Sequence, residues 1–566
     1  MQRLLLFSLI LTLFTLLYPT QSFSKVIHIP GDSLTIQAGI NGAADGDTVL
    51  VADGTYTGQG NRDIEFFGKA IVVKSENGPE VTIIDCEGSE QEPHRGFAFR
   101  NREGPGSKLQ GFTITNGWSR YGGGIACWNF SSPTIEGNTI TGNTAEYGAG
   151  IRCDYSPAII RDNLIAYNTA LVDGGGIRCY DALVTIEGNT IVGNTAADVG
   201  GGIYCYYSSP SVENNTIIGN VAGYGGGIGC YYTDPIIRGN TITYNTATDD
   251  GGGIYSTDFS PTISANKVSN NTAGDIGGGI YCHHYCSPII NDNTVSRNSA
   301  NHGGGIGLGF NSSPFLDGNT ITDNTAIQFG GGIFNWYSSG TAITSTIVWA
   351  NHAMIGPQIW VGDASFPSIL IIAYSDVEGG RDSVYVEPGC TLYWGPGMLD
   401  ADPLFVLPER LDYRLLWESP CINAGYPDSL DPDGSRRDQG AFYFDLRNAI
   451  TIYLTPDKAR VEQGDQLGVT YTAINKWSSE EDVLFESNVT LPNGNTVTIL
   501  GPDLYTLPPH HTIQIHMVHD IPQRAPLGDY MYRSLAGFPR GFLIDEDCFE
   551  FRVIEPDRII NEVLKQ

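Results

Sequence analysis

Between residues 122 and 333 the chain writes Gly-small-Gly-Ile nine times, with first glycines at 122, 148, 174, 200, 225, 251, 277, 303 and 330. The intervals are 26, 26, 26, 25, 26, 26, 26 and 27 residues. A period that constant means one supersecondary unit stacked on copies of itself. Within a unit such as Gly200–Tyr224 (GGGIYCYYSS, PSVENN, TIIGNVAGY) the apolar stretches are brief and β-branched or aromatic, with Gly, Asn, Ser and Pro between them. No run has the length or spacing of a helix. The pattern predicts about three short strands per unit, one coil of a parallel β-helix, and coils about 4.8 Å apart make the repeats a rod roughly 40 Å long. Leucine-rich repeats need a run of leucines that is missing here, and the calcium-binding nonapeptide repeat needs a nine-residue period with Asp after the glycines.

Stacked coils place like on like. Asn138, Asn163, Asn189, Asn215, Asn240, Asn266, Asn293 and Asn319 form one column, and Asn143, Asn168, Asn194, Asn220, Asn245, Asn271, Asn298 and Asn324 a second. A buried corner Asn must satisfy its amide, and the amide of the next coil is the natural partner, so both columns read as structural. The glycine triplets read as corners with positive φ. No Lys-Ser/Thr follows them and no helix opens there, which excludes a phosphate loop. Strand alternation then sorts the residues after each triplet. Ile125 and its equivalents point inward, as do Cys127, Cys153, Cys179, Cys205, Cys230 and Cys282, a ladder of small thiols one coil apart without the C-x2-C of a zinc site.

The outward positions are Ala126, Arg152, Arg178, Tyr204, Gly229, Tyr255, Tyr281, Gly307 and Phe334, with Trp128, Asp154, Tyr180, Tyr206, Tyr231, Thr257, His283, Gly309 and Trp336 beside them. Nine of these eighteen are aromatic, against 11% of the whole chain. Exposed rings in a row are costly unless something covers them. Flat rings beside carboxylates and guanidinia suit sugars, whose CH faces stack and whose hydroxyls hydrogen-bond. The candidate carbohydrate-binding residues are therefore Trp128, Arg152, Asp154, Arg178, Tyr180, Asp181, Tyr204, Tyr206, Tyr231, Tyr255 and Trp336. The competing reading is that aromatic ladders favour β structure and stack on one another.

At 566 residues the chain has room for two or three domains. Residues 1–24 read as a secretory signal, with Arg3 before the apolar Leu4–Tyr18 run and Ser22-Phe23-Ser24 as a small-residue cleavage site. That run is short for a membrane span, so the expected product is secreted or cell-surface, without membrane insertion, and monomeric. The formal charge of −31 argues against nucleic acid and anionic membranes as partners. An acidic polysaccharide is repelled as well, unless calcium or a local basic patch intervenes.

Residues 25–120 form a lead-in. Ser33–Ala44 (SLTIQAGINGAA) predicts a short helix, with Leu34, Ile36, Ala38 and Ile40 among its apolar residues, placed to plug the open end of the stack. The succession of that IQ-A-I helix, the GDTV strand and the DGTY turn resembles the opening of secreted bacterial right-handed β-helix proteins of the pectin lyase-like superfamily. The resemblance runs through the GGGI, GNTI and NTA segments and covers DADPLF (400–405), DYRLL (412–416) and SPCINAG to DQGAF (419–442). It implies the fold and leaves activity open, because that superfamily holds lyases, hydrolases, esterases, epimerases and non-enzymes. Of its polygalacturonase-type patterns only Asp249-Asp250 and Asn301-His302-Gly303 have partial counterparts, Arg-Ile-Lys is absent, and so is the pectate lyase Trp-Ile-Asp-His. Arg152, Asp154, Arg178 and Asp181 are positioned for a paired-carboxylate or elimination chemistry by place alone. The repeat also loosely resembles those of chlamydial polymorphic outer-membrane adhesins.

The regular repeats occupy 121–350, and terminal coils and a tail 351–445. In the tail Asp428, Asp431, Asp433 and Asp438 surround a DPDG turn, which makes Asp431, Asp433 and Asp438 candidate calcium ligands beside a simple pairing with Arg436 and Arg437. Cys390 and Cys421 are candidates for a disulfide. Residues 446–556 change texture to strands with turns every 8 to 15 residues and predict an immunoglobulin-like β-sandwich without a Cys-Trp-Cys core. Residues 557–566 read as a flexible tail. The expectation is an all-β protein, a right-handed parallel β-helix followed by a small sandwich, that binds extracellular or cell-wall polysaccharide along an aromatic face. A polysaccharide lyase, hydrolase or epimerase on the same face is the alternative, and a non-catalytic adhesin or scaffold is the second.

Overall fold

The structure is a computed structural model that describes residues 24–539 and 541–554. All but the last residue of the expected secretory signal, and the tail 557–566, lie outside the described residues. Each regular coil contributes four strands, as in Ile125–Cys127, Thr134–Glu136, Thr139–Thr141 and Thr144–Tyr147. Strands of the same kind pair in parallel, building four faces of 13, 15, 13 and 9 strands in that order. We call these the first to fourth faces. Pairing is in register: Ile151 lies opposite Ile177 and Cys153 opposite Cys179, then Ile177 opposite Ile203 and Cys179 opposite Cys205. The isoleucine and cysteine columns are fully buried and form the core of the rod.

Four strands stand where about three were expected because each asparagine makes a corner of its own. Asn138 separates the second face from the third, and Asn143 the third from the fourth. Every asparagine amide is shared between coils. Asn189 Nδ2 donates to Ile160 O at 2.9 Å, Glu187 O at 3.0 Å and Asn215 Oδ1 at 3.0 Å, while Asn215 Oδ1 also accepts the Asn189 backbone N–H at 2.9 Å. The second ladder extends beyond Asn324 to Asn351, then to Gln358, and ends on the Glu378 carboxylate.

The predicted plug is a helix over Ile36–Gly42, capped by Thr35 Oγ1 accepting the Ala38 N–H at 3.2 Å. Ile36 and Ile40 enter the core, but Leu34 precedes the helix and stands 84% exposed. At the other end the coils stop at Trp394 and the chain returns along the third face. There Tyr413 Oη donates to Asp323 at 3.1 Å, Arg297 donates to Pro408 O at 2.7 Å, and Arg437 pairs with Asp292. The C-terminal region from Ile450 to Ile554 consists of a three-stranded and a five-stranded sheet, largely antiparallel, an arrangement compatible with the expected immunoglobulin-like sandwich. Arg414 ties it to the rod by pairing with Asp547 at 2.6 Å and Asp412 at 2.7 Å. All eleven cysteines are unpaired. Cys390 Sγ accepts the Ser368 N–H, and Cys421 Sγ donates to Asp376, so the bridge between them does not form.

The ladders make the central coils sensitive to one amide. Asn220→Ala strands the Asn194 N–H and Nδ2, which donate to Asn220 Oδ1 at 2.9 and 3.0 Å. The expected cost is about 3 kcal/mol, read as a lower urea midpoint. An unchanged midpoint would remove the ladder's energetic role.

Candidate functional site

The residue before each glycine triplet decides how much of the first outward column meets solvent. Tyr121, Tyr147, Asp173, Val199, Tyr224, Asp250, Ile276, His302 and Phe329 form this column, and several of them pack across the first face. Tyr224 reaches the Tyr255 ring at 5.3 Å, and His302 stacks on Phe334 at 5.2 Å. Tyr255, against Tyr224, is only 4% exposed and Tyr204, packed against Tyr206 and Tyr231, only 6%, so they do not form the open wall expected for them. Trp128, Tyr180, Tyr206, Tyr231 and Trp336, two residues further along their strands, are half-buried and reach the surface. The two gaps in the inner column have the same cause. A Cβ at Gly229 would lie 2.4 Å from Val199 Cγ1, and one at Gly307 would lie 2.5 Å from Ile276 Cγ2.

Towards the N-terminal end of the strip the cover opens into a cleft of about 890 Å³. Its lining brings together the expected Trp128, Arg152, Asp154, Arg178 and Tyr180 with Arg95, Tyr121, Asn129, Phe130, Tyr147 and Tyr155. Arg152 Nε donates to Asp154 at 2.7 Å and Arg178 Nη1 donates to the other oxygen of Asp154 at 3.3 Å. The guanidinium of Arg152 lies 4.2 Å from the Tyr121 ring centre, that of Arg178 5.3 Å from Tyr147 and 5.4 Å from Tyr180, and that of Arg95 5.2 Å from Trp128. Burial draws the Arg95 guanidinium below its ordinary value. Asp181 is exposed at the next corner and does not line the cleft. Tyr255 and Trp336 lie further along the rod, in a cluster with Tyr281 and Phe334. Tyr121 and Tyr147 share the pre-triplet column and were findable from the repeat. Arg95 comes from an irregular coil, where no column marks it.

A second row of rings escaped the strand pattern because it sits on the corner after the strand. Tyr155, Tyr207, Tyr232, Tyr285, Phe310 and Tyr337 adopt φ of 51°, 49°, 52°, 57°, 53° and 51°. Left-handed backbone costs a bulky residue about 1 kcal/mol or more. At the two asparagine corners the chain meets the same demand with Gly137, Gly188, Gly239 and Gly318 alternating with Asp162, Asn214, Ala265 and Asp292, and with Gly142, Gly193 and Gly219 beside Tyr167, Tyr244, Asn270, Arg297 and Asp323. None of the nine coils places a left-handed glycine at the corner after the first face. Neighbouring rings there stack, Tyr207 on Tyr232 at 5.1 Å and Phe310 on Tyr337 at 4.4 Å, and Phe130, Tyr155, Tyr207 and Tyr285 stand exposed.

The acidic turn of the tail has its carboxylates engaged by the chain itself. Asp431 accepts the Asp438 N–H at 2.8 Å, Asp433 accepts those of Ser435 at 2.8 Å and Leu446 at 2.9 Å, and Asp438 accepts those of Asn423 and Phe444 at 2.6 Å each. Burial pushes the Asp438 carboxyl up to about 7. Among the described residues no group of three or more His, Cys, Asp or Glu side chains is placed to hold a metal ion.

A parallel coil stack with an aromatic and guanidinium cleft on one face defines the class of protein. Its sequence matches the family model for the right handed beta helix region at residues 49–217, 173–295 and 199–348, together more than half of the chain. The chain belongs to that family. No curated protein matches it. Solved structures that align include the Pseudomonas fluorescens alkylpurine DNA glycosylase AlkC bound to DNA containing an abasic site analog (12% identity, TM-score 0.16, 19% of this chain and 32% of that one). The sporulation control protein Spo0M of Bacillus subtilis aligns at 17% identity with TM-score 0.15, over 21% of this chain and 54% of that one. A β-glucosidase from Listeria innocua aligns at 12% identity with TM-score 0.15, over 22% of this chain and 19% of that one. These alignments span a third to about half of the first two chains and a fifth of the third, and at such scores they carry no argument.

The pre-triplet column also sets a pH dependence. Burial pushes the Asp250 carboxyl up to about 6, and Asp250 Oδ1 accepts the Ile276 N–H at 2.9 Å. A folded-state value above the unfolded one means that this group's contribution to stability is complete below about pH 4 and is lost as pH rises through about 6. Asp250→Asn keeps an acceptor and removes the charge. It is expected to raise stability by about 1–2 kcal/mol near pH 8 and to leave it unchanged near pH 4. Thermal denaturation at both pH values checks this, and an equal shift at both would contradict it.

Proposed function

We infer that this is an exported β-helix protein that binds an extracellular or cell-wall polysaccharide along the strip formed by the first face and its outer corner, with the cleft as its anchor. The observation that carries the reading is the row of tyrosines and phenylalanines in left-handed backbone. Folding alone favours glycine or asparagine at such positions, and these two hold nine of the sixteen places at the neighbouring corners, where Tyr167 and Tyr244 are the two rings. Rings kept there in seven of the nine coils, with Asp181 and Asp258 in the other two, and partly exposed, suit a long ligand with repeating flat apolar faces. Export rests on the expected leader, and no helix among the described residues is long and apolar enough to cross a membrane. Asp154 is held by two guanidinia, so no free carboxylate pair in the cleft favours the hydrolase alternative.

The double variant Tyr207→Asn/Tyr232→Asn separates a ligand-stacking role from a folding role. Asparagine tolerates the left-handed corner, so the melting temperature is expected to stay within about 2 °C of wild type. Binding on a glycan array, followed by titration of the retained glycan, is expected to weaken about tenfold or more, equivalent to about 1.4 kcal/mol. Lower stability with unchanged binding would return the rings to a purely structural role.

A further inference from the structure

We propose that Tyr255 and His283 form a one-electron redox site, in which an outer-sphere oxidant at the rod surface takes an electron from Tyr255 while His283 takes its proton. This goes beyond glycan binding and does not rest on it. Tyr255 Oη lies 2.6 Å from Nε2 of His283, one coil further along. The two are not opposite in register: Tyr255 faces Tyr281, and His283 faces Thr257. The small side chain of Thr257 leaves room for the diagonal reach. The pair is enclosed by rings. Tyr224 and Tyr231 each lie 5.3 Å from the buried Tyr255, and Tyr281 stacks flat on His283 at 4.8 Å.

A phenol is hard to oxidise unless its proton leaves with the electron, because otherwise a cation remains on the ring. Burial pushes the Tyr255 phenol up, so it does not ionise first. Burial draws the His283 imidazole down to about 4, so at neutral pH its Nε2 is unprotonated and accepts the Tyr255 O–H. The step balances within the pair. The electron passes to the oxidant, the Tyr255 O–H bond breaks and an N–H bond forms at His283 Nε2. The products are a tyrosyl radical, an imidazolium and the oxidant reduced by one electron. The Asp258 carboxylate favours the imidazolium, and its own partner His284 opposes it. His283 Nδ1 is buried and has no hydrogen-bond partner among the described residues, so the proton is not passed on and returns with the electron. A pair placed only to satisfy two buried polar groups would leave no such nitrogen. Rings connect the site to solvent: Tyr231, then Tyr204 and Tyr206 in steps of 6.0 Å, then the exposed Tyr207 at 4.5 Å. Among the described residues no histidine bonds to these four, so the radical settles at Tyr255. The other tyrosine–histidine bonds, from Tyr532 and Tyr471 to His519 at 3.0 and 3.5 Å, belong to the C-terminal region.

The test uses the full chain and ruthenium(III) tris-bipyridine, generated by a light flash with persulfate as terminal electron acceptor. Wild type is expected to give a tyrosyl radical, read by electron paramagnetic resonance, that outlives that of free tyrosine about tenfold or more. It is expected to form more slowly in heavy water than in light water. Tyr255→Phe keeps the ring and is expected to remove the long-lived signal. His283→Phe keeps the stack on Tyr281, removes the proton acceptor, and is expected to slow radical formation about tenfold and erase the isotope effect. Tyr255→Phe decides the matter if His283→Phe does not fold, and the heavy-water comparison on wild type decides it if neither folds. A long-lived signal that survives in Tyr255→Phe, whether from Tyr532 or elsewhere, overturns the proposal. So do equal rates of formation in light and heavy water for wild type.

Discussion

The rod depends on one hydrogen bond repeated along its length, the bond between a corner asparagine and the asparagine one coil later. A ladder amide such as Asn215 accepts a backbone N–H and a side-chain N–H from the coil before and donates its own Nδ2 to the asparagine of the coil after. A one-residue slip of any strand would break two such ladders and turn the isoleucine column towards water. The amide ladders and the apolar column therefore enforce the same register, and agreement between local chemistry and the buried pattern is what gives a repetitive sequence a single structure.

Strict register is also what makes a surface. Every variable position in the repeat is carried to the same place on the rod, so the outward residues become straight files. Three files matter on this side: the pre-triplet residues, the inner strand positions and the left-handed corner. At Val199, Tyr224 and Ile276 the pre-triplet residue covers the inner file. Where it is Tyr121 or Tyr147 it forms one wall of an open cleft. The returning tail and the C-terminal region attach through the third face, by Tyr413, Arg437 and Arg414, and these contacts take nothing from the strip.

Much of the fold was legible in the amino-acid sequence. The 26-residue spacing implied coils, alternation after each triplet put isoleucine and cysteine inside, and the two asparagine columns announced the ladders. The strand count per coil was read too low because an Asn-marked corner separates its strands by only two residues. The cleft was half legible. Trp128, Arg152, Asp154, Arg178 and Tyr180 were found because they occupy repeated outward positions. Arg95 was not, because its coil is irregular, and the corner tyrosines were not, because their side chains are aimed by a left-handed φ that alternation does not describe.

Period and alternation, both properties of the sequence on its own, determined a stacked all-β rod, its buried columns and the side on which its rings collect. Only the tertiary structure decided which rings meet solvent and which guanidinia share a space. Those depend on contacts between different columns and different coils, such as Val199 against Gly229 or Tyr121 over Arg152. A linear pattern records the spacing within a column but not the tilt of one file of side chains across another.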